Sequence, residues 1–162
     1  MLDGTSLDPR TLRNAFGTFA TGVTVVTMLD DTGSPTGVTV NSFSSLSLEP
    51  ALCLFSLGKN QVSCRWMEEG CHFIINVLAE GQDDIAWAFA KPRENKFEGV
   101  PSRQGSVVDV PYIEGALSRF ECRLWAKHDG GDHDLIIGEI LHATEAEGRP
   151  MLFYRGAMGT LA

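Results

Sequence analysis

The first periodic signal along the chain is helical. Leu12, Ala15, Phe16 and Phe19 recur at three- and four-residue steps behind Asp8-Pro9, which reads as an N-cap followed by proline at the first helical position, with Gly22 as the stop. The pattern then turns extended. Val23 to Leu29 is rich in Val and Thr, Asp30-Asp31-Thr32-Gly33-Ser34-Pro35 supplies turn chemistry, and Thr36 to Phe43 is extended again, which predicts a hairpin. Ala51 to Leu57 reads as a buried strand, Asn60 to Glu69 as a short helix, and Cys71 to Leu78 as a strand after a break at Gly70. Asp83 or Asp84 caps a further helix carrying Ile85, Trp87, Ala88 and Phe89, and Lys91 to Val110, with Pro92 and Pro101, is a long loop. Phe120, Cys122, Leu124 and Ala126 then alternate with Glu121, Arg123, Trp125 and Lys127. Asp129-Gly130-Gly131-Asp132 turns the chain into His133 to Thr144, and Met151 to Tyr154 forms a last short strand. About six or seven strands with few helices and hairpin-length connections predict an antiparallel barrel with peripheral helices.

Composition narrows the function classes. The 162 residues make one domain with a real core, and 43% hydrophobic with 21% charged residues excludes a disordered chain. Twenty-one acidic against 13 basic residues give a net charge of -8, so the long-range field repels nucleic acid and anionic membranes, and neither is expected as a partner. A small phosphate remains bindable where a few cations and backbone N–H groups converge. The start lacks a basic and apolar leader and no apolar run is long enough to span a bilayer, so the expected location is cytoplasmic. Cys53, Cys64, Cys71 and Cys122 have no CxxC spacing and apolar neighbours, so they read as buried thiols. Cys71-His72 would point to opposite faces of a strand, and no metal is expected.

No GxGxxG, GxxxxGK[ST] or GxSxG motif occurs, which removes the Rossmann, P-loop and α/β-hydrolase readings. What remains is a tract of small polar side chains, Thr39, Asn41, Ser42, Ser44, Ser45 and Ser47, on a strand and its exit. By composition alone it is either a water-facing β-edge or a set of donors for a ligand's carbonyls and phosphates. Asp132-His133-Asp134 raises a charge-relay reading. On an extended strand, however, both aspartates share one face and His133 takes the other, so no adjacent dyad is expected. His72, His128 and His142 read as structural.

The order of the polar tract is more specific than its content. Thr39-Val40-Asn41-Ser42-Phe43-Ser44-Ser45-Leu46-Ser47-Leu48-Glu49-Pro50, followed by Ser56-Leu57-Gly58-Lys59-Asn60-Gln61-Val62-Ser63, resembles the flavin-contacting segment of the short-chain flavin reductases, the NAD(P)H-dependent partners of two-component monooxygenases. The resemblance extends through Phe16-Gly17-Thr18-Phe19-Ala20-Thr21-Gly22, Phe73-Ile74-Ile75-Asn76-Val77, Phe97-Glu98-Gly99-Val100 and Gly131-Asp132-His133-Asp134, from about Pro9 to Leu161 in the family's order.

The resemblance implies a mainly β, antiparallel Greek-key split barrel that binds flavin, with peripheral helices, one domain over 1–162, and a homodimer with its flavin sites near the subunit interface. By position Thr39, Val40, Asn41, Ser42, Phe43, Ser45 and Leu46 would line the flavin ring and ribityl chain. Ser56, Leu57, Lys59 and Ser63 would reach the ribityl and phosphate end, and Phe89, Ala90, Lys91 and Phe97 would close the pocket. His133 would lie beside the nicotinamide nucleotide together with Arg155, Gly156 and Met158. Met158 stands where the family commonly has an aromatic residue, so nicotinamide stacking would differ.

The activity so implied is hydride transfer from NADH or NADPH to FMN or FAD by proximity, with no residue acting as obligatory acid, base or nucleophile, and with a monooxygenase as the consumer of reduced flavin. Two other readings stand beside it: a non-enzymatic flavin-binding electron-transfer protein of the same fold, and a structural barrel whose polar tract binds nothing.

Overall fold

Asp8 caps the first helix as its side chain suggests. Its Oδ2 accepts the Thr11 N–H at 2.8 Å at the head of α1 (Pro9–Phe16). The computed structural model describes residues 7–161, and the reading of the first six residues as lacking a leader lies outside them. The helix stops at Gly17 rather than Gly22, because Gly17, Thr18 and Phe19 turn back to bond Arg13, Ala15 and Phe16 carbonyls. No residue of α1 is buried. Phe16 and Phe19 are 70% and 77% exposed, so this helical stripe is not core in the single chain.

Thr21–Gly22 is a short strand, β1. The hairpin β2 (Thr24–Leu29) and β3 (Pro35–Val40) follows, β3 ending before Asn41 rather than at Phe43. The polar tract then forms a strand of its own, β4 (Ser44–Leu48), against β5 (Ala51–Gly58). The next helix, α2 (Val62–Arg65), is a single turn, shorter than expected. It is followed by β6 (His72–Val77) and α3 (Asp83–Ala90). The long loop contains a small hairpin, β7 (Ser102–Gln104) and β8 (Pro111–Ile113). Two 13-residue strands, β9 (Ser118–Gly130) and β10 (His133–Glu145), precede β11 (Leu152–Tyr154) and β12 (Ala157–Gly159).

Seven of these strands form one antiparallel sheet in the order β3-β2-β6-β9-β10-β5-β4, and β1, β11 and β12 make a second small sheet. Register shifts at Ile137/Gly138 and Ile140/His142 bend the β9–β10 pair around the core. Gly138 is needed inside that bend: a Cβ there would meet Phe73 Cζ at 2.7 Å. Phe55 and Phe73 meet edge to face at 5.4 Å within an interior completed by Val26, Met28, Leu57, Ile75 and Ile136. The sheet is open between its edge strands β3 and β4, and the exit of β3 meets β5 across that opening. There Ser42 spans the seam, its Oγ accepting the Ser56 N–H at 2.9 Å. This is the expected split barrel with peripheral helices.

Two buried polar side chains tie the outer hairpin to the sheet. Asn76 donates to the Val25 and Ile74 carbonyls and accepts the Ile113 N–H at 2.9 Å. Glu121, which alternation grouped with exposed residues, has 0% exposure and accepts N–H groups from Ser106, Val107 and Val108.

Candidate functional site

The edge of β3 carries the site. Alternation sends Val38 and Val40 inward, which leaves Thr39 under α3, where its Oγ1 donates to the Ala86 carbonyl at 2.6 Å. Gly37 allows this close approach: a Cβ would sit 2.7 Å from the Val26 carbonyl oxygen and 2.9 Å from Phe89 Cδ1. Two hollows open side by side along the strand. One of about 250 Å³ is lined by Thr39, Val40 and Asn41 from β3 and its exit, Trp87 and Ala90 from α3, and Phe153, Gly156 and Met158 from the β11–β12 hairpin. The other, of about 970 Å³, lies between the β3 residues Thr36, Gly37 and Val38, the α2 residues Val62 and Ser63, and the loop from Pro92 to Phe97. Ala90 belongs to both.

Six expected residues therefore meet at the smaller hollow: Thr39, Val40, Asn41, Ala90, Gly156 and Met158. Ser63, Phe89 and Phe97 join Ala90 at the larger one, with Phe89 and Phe97 edge to face at 5.1 Å. The chemistry of the smaller hollow is an apolar floor of Val23, Val40, Ala90 and Met158 with the exposed Asn41 amide at its rim. That combination suits a flat, mostly apolar ring with polar edges.

Other expected residues are placed elsewhere. Leu57 is fully buried in the barrel core, so only its backbone is left to reach a ligand. Ser42 and Ser56 are joined to each other across the seam, and Phe43 stacks on Phe120 at 5.5 Å. Ser45 and Leu46 sit exposed on β4, at the opposite end of the sheet order from β3. Lys91 lies over the Trp87 ring at 5.4 Å, and its carbonyl accepts from Lys96.

Lys59 lines neither hollow. Its ammonium is bonded to Asp129 and lies 3.8 Å from Asp134, and the Asp129 hydrogen bond raises its pKa. Asp134 also holds Lys127 at 3.4 Å and accepts from Cys64 Sγ at 3.3 Å, so these charges knit α2 to the β9–β10 hairpin. The cations that do line the larger hollow are Arg93 and Lys96. Lys96 donates to the Phe89 carbonyl at 3.1 Å and to the Lys91 carbonyl, and burial pulls its pKa below the ordinary lysine value. Sequence reasoning missed both cations; the only signal was the cluster of charges in the loop that follows Lys91.

His133 departs from expectation in two ways. Its Nδ1 lies 2.7 Å from Asp132 Oδ1, an adjacent pair that strand geometry ruled out. The reason is that Asp132 belongs to the turn after Gly131 (φ 86°) and not to β10, so the alternation of faces does not reach it. The hydrogen bond from His133 holds the Asp132 carboxyl below the usual carboxylate range. His133 is also absent from the hollow lined by Gly156 and Met158; it stands instead beside Lys59, whose N–H bonds the Asp132 carbonyl at 3.0 Å. Arg155 faces a third hollow next to the first.

The chain is similar to known proteins over most of its length. Residues 16–162 match the flavin reductase like domain. The reductase component of the flavin-dependent trigonelline monooxygenase of Acinetobacter baylyi is 42% identical over 94% of this chain, which spans only 49% of that protein's length. FMN reductase (NADH) SmoA of Agrobacterium fabrum is 44% identical over 93% of this chain and 84% of its own. Among solved structures, the NADH:FAD oxidoreductase SgcE6 of Streptomyces globisporus C-1027, in complex with NAD and FAD fragments, superimposes with a TM-score of 0.89 at 38% identity, covering 96% of this chain and 93% of that one.

Proposed function

Because the chain belongs to the flavin reductase like domain family, we propose that it is an NAD(P)H-dependent flavin oxidoreductase that transfers hydride from NADH or NADPH to FMN or FAD and supplies reduced flavin to a partner monooxygenase. The observation that carries this reading is the convergence of β3, the end of α3 and the β11–β12 hairpin on one apolar hollow with a polar rim, beside a larger hollow that carries cations. A bound flavin would supply N5 as the acceptor of the hydride from C4 of the reduced nicotinamide.

The protein's own part is placement and exclusion of water. Val40 and Ala90 give the ring an apolar bed, and Met158 presents a thioether where stacking with nicotinamide takes place. The Asn41 amide is the donor for the ring's carbonyl edge, which steadies negative charge as it develops there. The flavin phosphate falls to the larger hollow. Lys59 would have to leave two carboxylates to serve it, and Arg93 is paired with Glu98 at 3.1 Å, whereas Lys96 is held only by carbonyls, so the role passes to Lys96. The role of His133, oriented by Asp132 and lining none of the three hollows, rests on the family resemblance: it would contact the reduced nicotinamide nucleotide away from the Met158 hollow.

A single split-barrel domain working as a homodimer completes the reading. The exposed apolar side chains on the edge strand β4, with Leu48 96% exposed, support it. No helix among the described residues is long and apolar enough to cross a membrane, and the four free cysteines support a reducing, cytoplasmic setting. Purified protein mixed with each pairing of NADH or NADPH with FMN or FAD, followed by loss of reduced-nicotinamide absorbance, tests the activity. No turnover with any pairing overturns it.

A further inference from the structure

The core uses one side of α3 and leaves a large apolar side chain on the other. Ala86 and Phe89 are buried, and Ile85 and Ala88 pack against the same interior. Trp87 is 44% exposed and takes no part in that interior, yet it borders the smaller hollow together with Ala90, three residues on. Two aromatic rings line that hollow. Phe153, from the facing hairpin, is already packed against the core, as is Met158, so the indole is the ring that the fold leaves uncovered.

This ring already holds a cation. The ammonium of Lys91, one helical turn on, lies 5.4 Å from the indole centroid, and among the described residues it has no carboxylate within ion-pair distance. Lys91 lines none of the three hollows, so it steadies the indole from outside. The hollow itself is lined by no charged side chain. A positive charge arising inside it therefore meets no carboxylate, and with the Asn41 amide given to the flavin's carbonyl edge, the electron-rich indole is the group there that stabilises such a charge.

Hydride transfer creates that charge. As the C4–H bond of the neutral dihydropyridine breaks, the hydrogen leaves with the electron pair for the flavin, and the nicotinamide ring becomes a pyridinium cation. We propose that Trp87 is a catalytic residue of this reaction, its indole face stabilising the positive charge that develops on the nicotinamide as the hydride departs. The inference rests on the reductase reading, which puts the nicotinamide beside Met158 in the hollow that Trp87 borders. A neutral dihydropyridine gains little from an indole face and a pyridinium gains much, so the contact is stronger in the transition state than in the ground state and lowers the barrier. By the same difference Trp87 holds the oxidised nucleotide more tightly than the reduced one.

Trp87→Leu keeps an apolar side chain and removes the π face, whereas Trp87→Phe keeps a weaker one; at so exposed a position both should fold, which thermal unfolding checks. In single-turnover flavin reduction at saturating NADH, the Leu variant should be about tenfold slower, with the apparent Kd for NADH within about twofold and the Phe variant between. Its Kd for NAD+ should rise about tenfold. NAD+ titrated into the purified wild type should quench tryptophan fluorescence saturably, and the quench should vanish in the Leu variant, where Trp66 and Trp125 still emit. An unchanged reduction rate in the Leu variant overturns the proposal. So does a weaker Kd for NADH at an unchanged rate, which marks a contact made equally with substrate and transition state. A quench that survives in the Leu variant overturns it as well. If the wild type turns over neither NADH nor NADPH, the reductase reading fails instead, and the quench by itself decides whether the indole receives the oxidised nicotinamide.

Discussion

Replacing Glu121 by glutamine asks how much one buried carboxylate contributes to holding the β7–β8 segment on the barrel. Oε1 accepts from Ser106 at 2.9 Å, and Oε2 from Val107 at 2.8 Å and Val108 at 3.3 Å. Arg119 Nε is 3.3 Å away, within ion-pair distance though not aligned as a hydrogen bond. Glutamine keeps one acceptor oxygen and turns an NH₂ toward at least one of these donors. A stranded buried donor costs about 1–3 kcal/mol, and removing one partner of a buried ion pair about 3–5 kcal/mol. Arg119 retains some access to water, so the two ranges meet at about 3 kcal/mol, or about 6–12 °C in Tm for a chain of this size. The pH dependence has a definite sign. Burial pushes the Glu121 carboxyl up, but the three N–H groups and Arg119 outweigh it, and its pKa lies below the ordinary 4.5. Its contribution is therefore fully present above the unfolded value and is lost as pH falls through the lowered folded one. Urea unfolding at neutral pH and across the acid range measures both effects. A loss under about 0.5 kcal/mol, or an acid limb equally steep in the variant, would refute the reasoning.

His133→Ala should raise KM for NADH about tenfold, as loss of one charge-assisted or oriented hydrogen bond does, with flavin affinity within about twofold; equal loss of both contradicts the placement. Lys96→Ala should weaken FMN by about tenfold and riboflavin by much less, whereas Lys59→Ala should not separate the two ligands, and fluorescence titration decides between them. Gly37→Ala drives a methyl into the Val26 carbonyl and the Phe89 ring, so it should cost about 1–3 kcal/mol and loosen flavin binding, read by thermal unfolding with and without FMN. Ser42→Ala should cost about 1 kcal/mol and speed amide exchange at Ser56; an unchanged exchange rate there contradicts the role given to Ser42.

Strong local periodicity made most of the barrel legible. The β2–β3 hairpin, the β9–β10 pair and the helix over α3 follow from alternation and turn residues, and the family resemblance follows from residue order. Strands of three residues such as β7, β8 and β12 carry too few positions for a period to show. Glu121 was hidden for another reason: alternation names a face but not what covers it, and here the covering group is a loop offering three N–H donors. The stripe on α1 misled in the opposite direction, because amphipathicity does not say whether the apolar face meets its own chain. Within the site, β3 and the closing hairpin were named from residue order. Arg93 and Lys96 were not, since their position depends on how the loop after α3 folds back over the helix end.

Six neighbouring strand pairs in the seven-stranded sheet are laced by backbone ladders, but among the described residues the exit of β3 is tied to β5 through one hydroxyl, that of Ser42. Such a cylinder has one zipper pull. Thermal breathing should concentrate there, between the strand that borders the hollows and the strand that carries the core, without unravelling the rest of the wall. A guest wedged along β3 would then damp the fluctuation from outside, and the proton clock at Ser56 would record how long each guest stays.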